Sequence, residues 1–132
     1  MTTAPTPTKH GPVSYTHLDG PSSHHAVELA HQYAWIWAAV GSHPDDAEQV
    51  DEARSGEYRA LCKDPRVKAI GEIGLDYHYE DPPRDVQQRA FRMQMKLAQE
   101  LSIPVVIHER EVMMRYGSFV PFVTRSSMSV PI

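Results

Sequence analysis

Val67-Lys68-Ala69-Ile70-Gly71-Glu72-Ile73-Gly74-Leu75-Asp76-Tyr77 decides how the rest of this chain is read. A short apolar strand, Val67 to Ile70, runs into a glutamate held between two glycines. Packing gives no reason for a carboxylate there. If buried, it must be paired or bound to a metal, or it neutralises itself. The flanking glycines let backbone and ligand approach that side chain closely. Glu72 therefore reads as a site residue at a strand end, with Asp76 a short loop further on. The plain alternative is a strand ending in a glycine turn with a solvated glutamate.

Downstream, Asp81-Pro82 is in the order that opens helices. Over 82–102, Val86, Ala90, Met93, Leu97 and Leu101 form one apolar stripe, with Arg89, Arg92, Lys96 and Gln99 on the far side. Ile103-Pro104-Val105-Val106-Ile107 is a further apolar strand, and it ends in His108. Upstream, Ala34 to Val40 is an almost unbroken apolar run, as expected of a strand buried on both faces. It ends in Gly41-Ser42-His43-Pro44-Asp45-Asp46, after which a helical region is expected to Lys63, broken near Ser55-Gly56. Before it, Ser22 and Ser23 read as caps of an amphipathic helix over 23–33, with Ala26, Leu29, Ala30 and Tyr33 on one face. His24 and His31 lie off that stripe and read as solvated.

Strand, helix, strand, helix, strand is the pattern of successive βαβ units. His43, Glu72 and His108 each fall at a strand's C-terminal end, at intervals of 29 and 36 residues. In a parallel sheet or barrel those ends share one face, and that face carries the active site. Imidazole and carboxylate together suit divalent metals such as zinc, manganese or magnesium. The competing reading is that His43 caps a turn and His108 is partnered near the core.

A length of 132 residues allows one domain, and 41% apolar and 23% charged residues are globular values. A net charge of −4 argues against a broad basic face for nucleic acid, though not against an enzyme that neutralises phosphate with bound metal. The one cysteine, Cys62, fits a reducing compartment, and a cytoplasmic location is expected. No membrane or obligate protein partner is evident. Residues 1–21, rich in Thr and Pro to Pro12, read as a disordered or artefactual leader. Residues 112–132 contain no Asp or Glu and no periodicity, and read as an irregular tail or a non-native frame.

Ala69-Ile-Gly-Glu-Ile-Gly-Leu-Asp-Tyr77 and Leu101-Ser-Ile-Pro-Val-Val-Ile-His108-Glu-Arg110, with Gly41-Ser-His-Pro44 upstream, closely resemble the TatD family of metal-dependent deoxyribonucleases. The resemblance covers about residues 22–111 and extends to Gln88, Phe91, Gln94 and Leu97-Ala98 in the helix between. It implies an α/β fold, here a partial TIM-type (β/α) barrel of about three βα units. It implies two divalent metal ions (Mg, Mn or Zn) and hydrolysis of DNA phosphodiesters, of the 3′→5′ exonuclease type, on single strands or 3′ ends. Carried over by residue, Glu72 is the carboxylate bridging the metals and His108 binds one of them. His43 sits at the rim near the phosphate, and Asp76 and Arg110 support the site or contact phosphate. As catalytic residues the resemblance implies Glu72, His43 and Asp76.

The sequence also departs from the family pattern. The family opens with His-x-His, where this chain has Tyr15-Thr16-His17, only 26 residues before His43. After Glu111 there is no further Asp or His. A full barrel needs about 250 residues. The chain is therefore expected to be an incomplete barrel, inactive alone and prone to self-association through open sheet edges. Two other readings are a related amidohydrolase-type metalloenzyme acting on a small amide or lactone, and a non-catalytic interaction fragment.

Overall fold

A computed structural model describes residues 13–16, 20–112 and 123–125. In chain order the elements are β1 (Val13–Thr16), α1 (Gly20–Gln32), β2 (Ile36–Val40), a 3-10 helix (Pro44–Gln49), α2 (Glu52–Leu61), β3 (Val67–Asp76), α3 (Arg84–Leu101), β4 (Val105–Arg110) and β5 (Val123–Arg125). All neighbouring strands pair parallel, in the order β1-β2-β3-β4-β5. The expected βα units are thus present, as part of a barrel-type parallel sheet. Two short strands stand outside them: β1 within the expected leader and β5 within the expected tail. Apart from Gly20 and Pro21, which open α1, and Val112, the other residues of both stretches lie outside the described part. No described helix is long and apolar enough to cross a membrane.

The core lies between the sheet and its helices. Ile36, Ala38, Val40, Ile70, Ile73, Leu75, Val105 and Ile107 from the strands meet Ala26, Ala30, Tyr58, Phe91, Leu97 and Ala98 from the helices. β2 is buried on both faces, with Ala38 and Val40 on one and Ala39 on the other, which explains why it reads as a nearly continuous apolar run.

Several boundaries moved for physical reasons. Ser23 is no cap: it lies inside α1, fully buried, and its Oγ accepts from the Gly41 N–H (3.1 Å) and donates to the Gly41 carbonyl (3.3 Å). The helical break falls at Val50-Asp51 and not at Ser55-Gly56, because the Asp51 side chain caps α2 by accepting from the Arg54 N–H at 2.8 Å. Asp81 does not cap α3, whose N-cap is Pro83 without a side-chain hydrogen bond. His31 is exposed, as expected, yet it contacts the Asp64 carboxylate.

The buried stripe of α3 is also rotated from the one read in the sequence. Ala90 and Leu97 are buried as expected, but Gln87 and Gln94 join them at 1% exposure, while Val86 and Met93 are only partly buried against Ala47 and Val50. An apolar stripe hides this because a glutamine is buried only where backbone groups satisfy its amide.

Candidate metal centre

β3 continues to Asp76 because it bulges. Ile70 pairs with Val105 and Ile73 with Ile107, so Gly71 and Glu72 together oppose Val106. A bulge of this kind re-aims a side chain beside a site. Pairing then resumes, with Gly74 opposite His108 and Asp76 opposite Arg110. Side chains alternate along a strand. Ile73, Leu75 and Ile107 therefore enter the core, and Asp76, His108 and Arg110 turn to the other face. Two glycines make this possible. A Cβ on Gly71 would lie 2.7 Å from Val106 Cβ, and one on Gly74, at φ +144°, would lie 2.0 Å from the His108 carbonyl oxygen.

On that face, one donor atom each from His43, Glu72 and His108 fall within 4.8 Å of one another. The two imidazole rings stand 4.4 Å apart at 54°, and His108 Nδ1 is 3.9 Å from Glu72 Oε1. Asp76 orients His108: its Oδ2 accepts from the His108 Nε2–H at 2.9 Å. That hydrogen bond fixes the tautomer and leaves the Nδ1 lone pair on the Glu72 side, the arrangement of a carboxylate-oriented histidine ligand. A carboxylate with a freed imidazole nitrogen fits a divalent cation of the zinc or manganese type.

His43 is held differently. Its Nδ1 accepts the Asp45 N–H at 3.2 Å, which places the ring proton on Nε2. Burial, and next the neighbouring His108, lower its pKa from the ordinary 6.5, so the ring is neutral at pH 7.

Asp76 is 5% exposed. Burial alone would raise its carboxyl pKa. The Arg110 Nε–H donates to both of its oxygens at 3.0 Å, and with His108 and the His78 N–H (3.1 Å) it outweighs burial and holds the carboxyl at about 2. Arg110, expected to support the site or contact phosphate, binds Asp76.

The buried glutamines of α3 anchor both strand ends. Gln87 Oε1 accepts from the Asp76 N–H (2.8 Å), and its Nε2 donates to the Asp76 carbonyl (2.9 Å). Gln94 grips Ser42, the residue before His43, in the same way at 2.7 and 3.1 Å. Sequence reading assigned neither a role at the site. The available signal was their seven-residue spacing, which puts them on one helix face.

Asp76 titrates near 2 when folded and near its ordinary 3.8 when unfolded, so the unfolded chain binds the proton more readily. The resulting stabilisation, about 2 kcal/mol, is complete above pH ~5 and is lost as pH falls toward 2. Urea unfolding of the metal-free chain should show this loss, and Asp76→Asn should flatten it. The same substitution should weaken Mn2+ binding by about 10- to 100-fold, as removal of a ligand's orienting partner does. Unchanged acid sensitivity in Asp76→Asn would contradict the assignment.

Comparison with known proteins gives a consistent result. The family model described as "TatD related DNase" matches residues 9–120, wider than the 22–111 of the motif resemblance. The "Uncharacterized metal-dependent hydrolase YabD" of Bacillus subtilis is 41% identical over 94 residues, which are 71% of this chain and 37% of that protein. The "3'-5' ssDNA/RNA exonuclease TatD" of Salmonella typhimurium is 38% identical, over 71% of this chain and 36% of its own length. The chain thus spans little more than a third of these relatives. Among solved structures, the TatD homologue YJJV of Escherichia coli superposes with a TM-score of 0.70 at 31% identity, over 76% of this chain and 40% of that one. A TatD family hydrolase from Entamoeba histolytica gives 0.68 at 25%, over 76% and 37%.

Proposed function

The chain belongs to the TatD related DNase family, and from that premise we propose that it carries part of a metal-dependent phosphodiesterase site acting on single-stranded nucleic acid from the 3′ end. The observation that supports this best is the convergence of His43, just beyond β2, Glu72, in the β3 bulge, and His108, within β4, to within 4.8 Å. Relatives named as single-strand exonucleases point to the same substrate class.

Glu72 and His108 would hold divalent cations. Such ions, when bound, supply Lewis acidity toward phosphate and acidify water. Asp76 keeps the His108 proton on Nε2 and so keeps Nδ1 available. His43, with its proton on Nε2 and its ring neutral, donates a hydrogen bond to a phosphate oxygen. Arg110 holds the Asp76 carboxylate ionised and adds positive charge at the rim.

The test is Mn2+-dependent shortening of a 3′-labelled against a 5′-labelled single-stranded oligonucleotide by the family protein carrying these residues. Loss of nucleotides from the 3′ end, abolished by EDTA, is the expected result. Hydrolysis of a small amide or lactone with no action on the oligonucleotide would overturn it.

A further inference from the structure

The loop between β3 and α3 carries Tyr77, His78 and Tyr79 directly after Asp76. Tyr79 is the one large hydrophobic side chain among the described residues that is exposed, at 75%. A single exposed tyrosine is ordinary in a soluble protein. This one is tied to the site. The Arg110 guanidinium lies 5.5 Å from its ring centroid, within cation–π range, while the same guanidinium binds Asp76 at 3.0 Å. Asp76 in turn binds His108. Two side chains, Arg110 and Asp76, therefore link the exposed ring to the proposed cation ligand. His78 packs edge-on at 4.5 Å and is itself held by Glu111 at 3.0 Å. The ring is thus braced from the protein side while most of it remains in solvent. The nearby acid Glu80 is paired with Arg84, which lowers its repulsion of a nucleic-acid backbone.

We propose that Tyr79 is a stacking platform for an unpaired base of a single-stranded nucleic acid whose phosphodiester lies at the His43–Glu72–His108 cluster. The proposal rests on the phosphodiesterase reading of that cluster and adds how the strand is held. An aromatic face accepts any base, so it gives affinity without sequence preference. Its partner must be unstacked, so it favours single strands and frayed ends over duplex. Arg110, between the ring and Asp76, is placed to meet the backbone of the stacked nucleotide.

The test is fluorescence anisotropy with the full chain in Mn2+, checking after each titration that the probe is intact. The probes are a short fluorescein-labelled oligothymidylate and the same strand with its 3′-terminal nucleotide made abasic. Tyr79→Ala should weaken binding of the first probe about 5- to 20-fold, a base–aromatic stacking loss. It should leave the abasic probe nearly unaffected, and Tyr79→Phe should bind as the parent does. Because Tyr79 is mostly exposed, thermal unfolding of both variants should match the parent. If the parent binds both probes equally and Tyr79→Ala changes neither, the platform is overturned while the nucleic-acid reading stands. If the parent binds Mn2+ but neither probe, the nucleic-acid reading fails and the platform with it.

Discussion

Glu72→Gln should leave the chain folded and weaken Mn2+ binding by about 100-fold or more. The substitution keeps the size and shape of the side chain and removes its charge. Glu72 is partly buried and sits 3.9 Å from His108 Nδ1, the one ion-pair partner it has among the described residues. It is the one carboxylate in the three-residue cluster. Loss of partners that merely orient a ligand costs 10- to 100-fold in metal affinity or activity, so loss of the charged donor should reach at least the upper end of that range. Titration calorimetry with Mn2+ reads the affinity, and thermal unfolding in EDTA checks the fold. The same substitution should abolish Mn2+-dependent oligonucleotide hydrolysis in a family protein carrying these residues. Parent-like Mn2+ affinity in Glu72→Gln would remove the cluster from consideration as the cation site.

Gly74→Ala should destabilise the fold by more than about 3 kcal/mol. Two causes add. At φ +144° any residue with a Cβ is strained, at a cost on the order of 1–3 kcal/mol. The Cβ would also meet the His108 carbonyl oxygen at 2.0 Å, a backbone atom in the β3–β4 ladder that cannot rotate away. Relief requires the two strands to part where they present Asp76 and His108, so cation binding should fall as well. At roughly 4–8 °C per kcal/mol for a body of this size, the melting temperature should drop by more than about 12 °C. Gly56→Ala is the matched control. It lies inside α2 with nothing within 4 Å of the added methyl, and should stabilise by about 0.5–1 kcal/mol. Equal melting temperatures for Gly74→Ala and the parent would show that β3 and β4 are not packed at this point as described.

The parallel α/β architecture was legible along the chain because its causes are local. Apolar runs at Ile36–Val40 and Val105–Ile107 are what strands covered on both faces require. The α3 surface of Arg89, Arg92, Lys96 and Gln99 is exposed where the period placed it. That His43, Glu72 and His108 converge was likewise readable, since parallel strands bring corresponding positions to one face, although Glu72 and His108 lie within β3 and β4 and not at their ends. The motif flanking Glu72 carried the family.

What the sequence could not decide was anything that depends on register or on a polar group finding a distant partner. The bulge at Gly71-Glu72 exists only against Val106, and it carries the strand on to Asp76 where a loop was read. It sets Asp76 opposite Arg110, whose guanidinium holds the Asp76 carboxyl ionised. Gln87 and Gln94 belong to the buried face because the strand ends supply partners for their amides, which no count of apolar residues reveals. The proton positions on His43 and His108 are set by Asp45 and Asp76, and they leave His43 a donor at Nε2 and His108 an open lone pair at Nδ1. Side-chain chemistry and strand order are written residue by residue. The direction in which each lone pair points is fixed only when the strands pair.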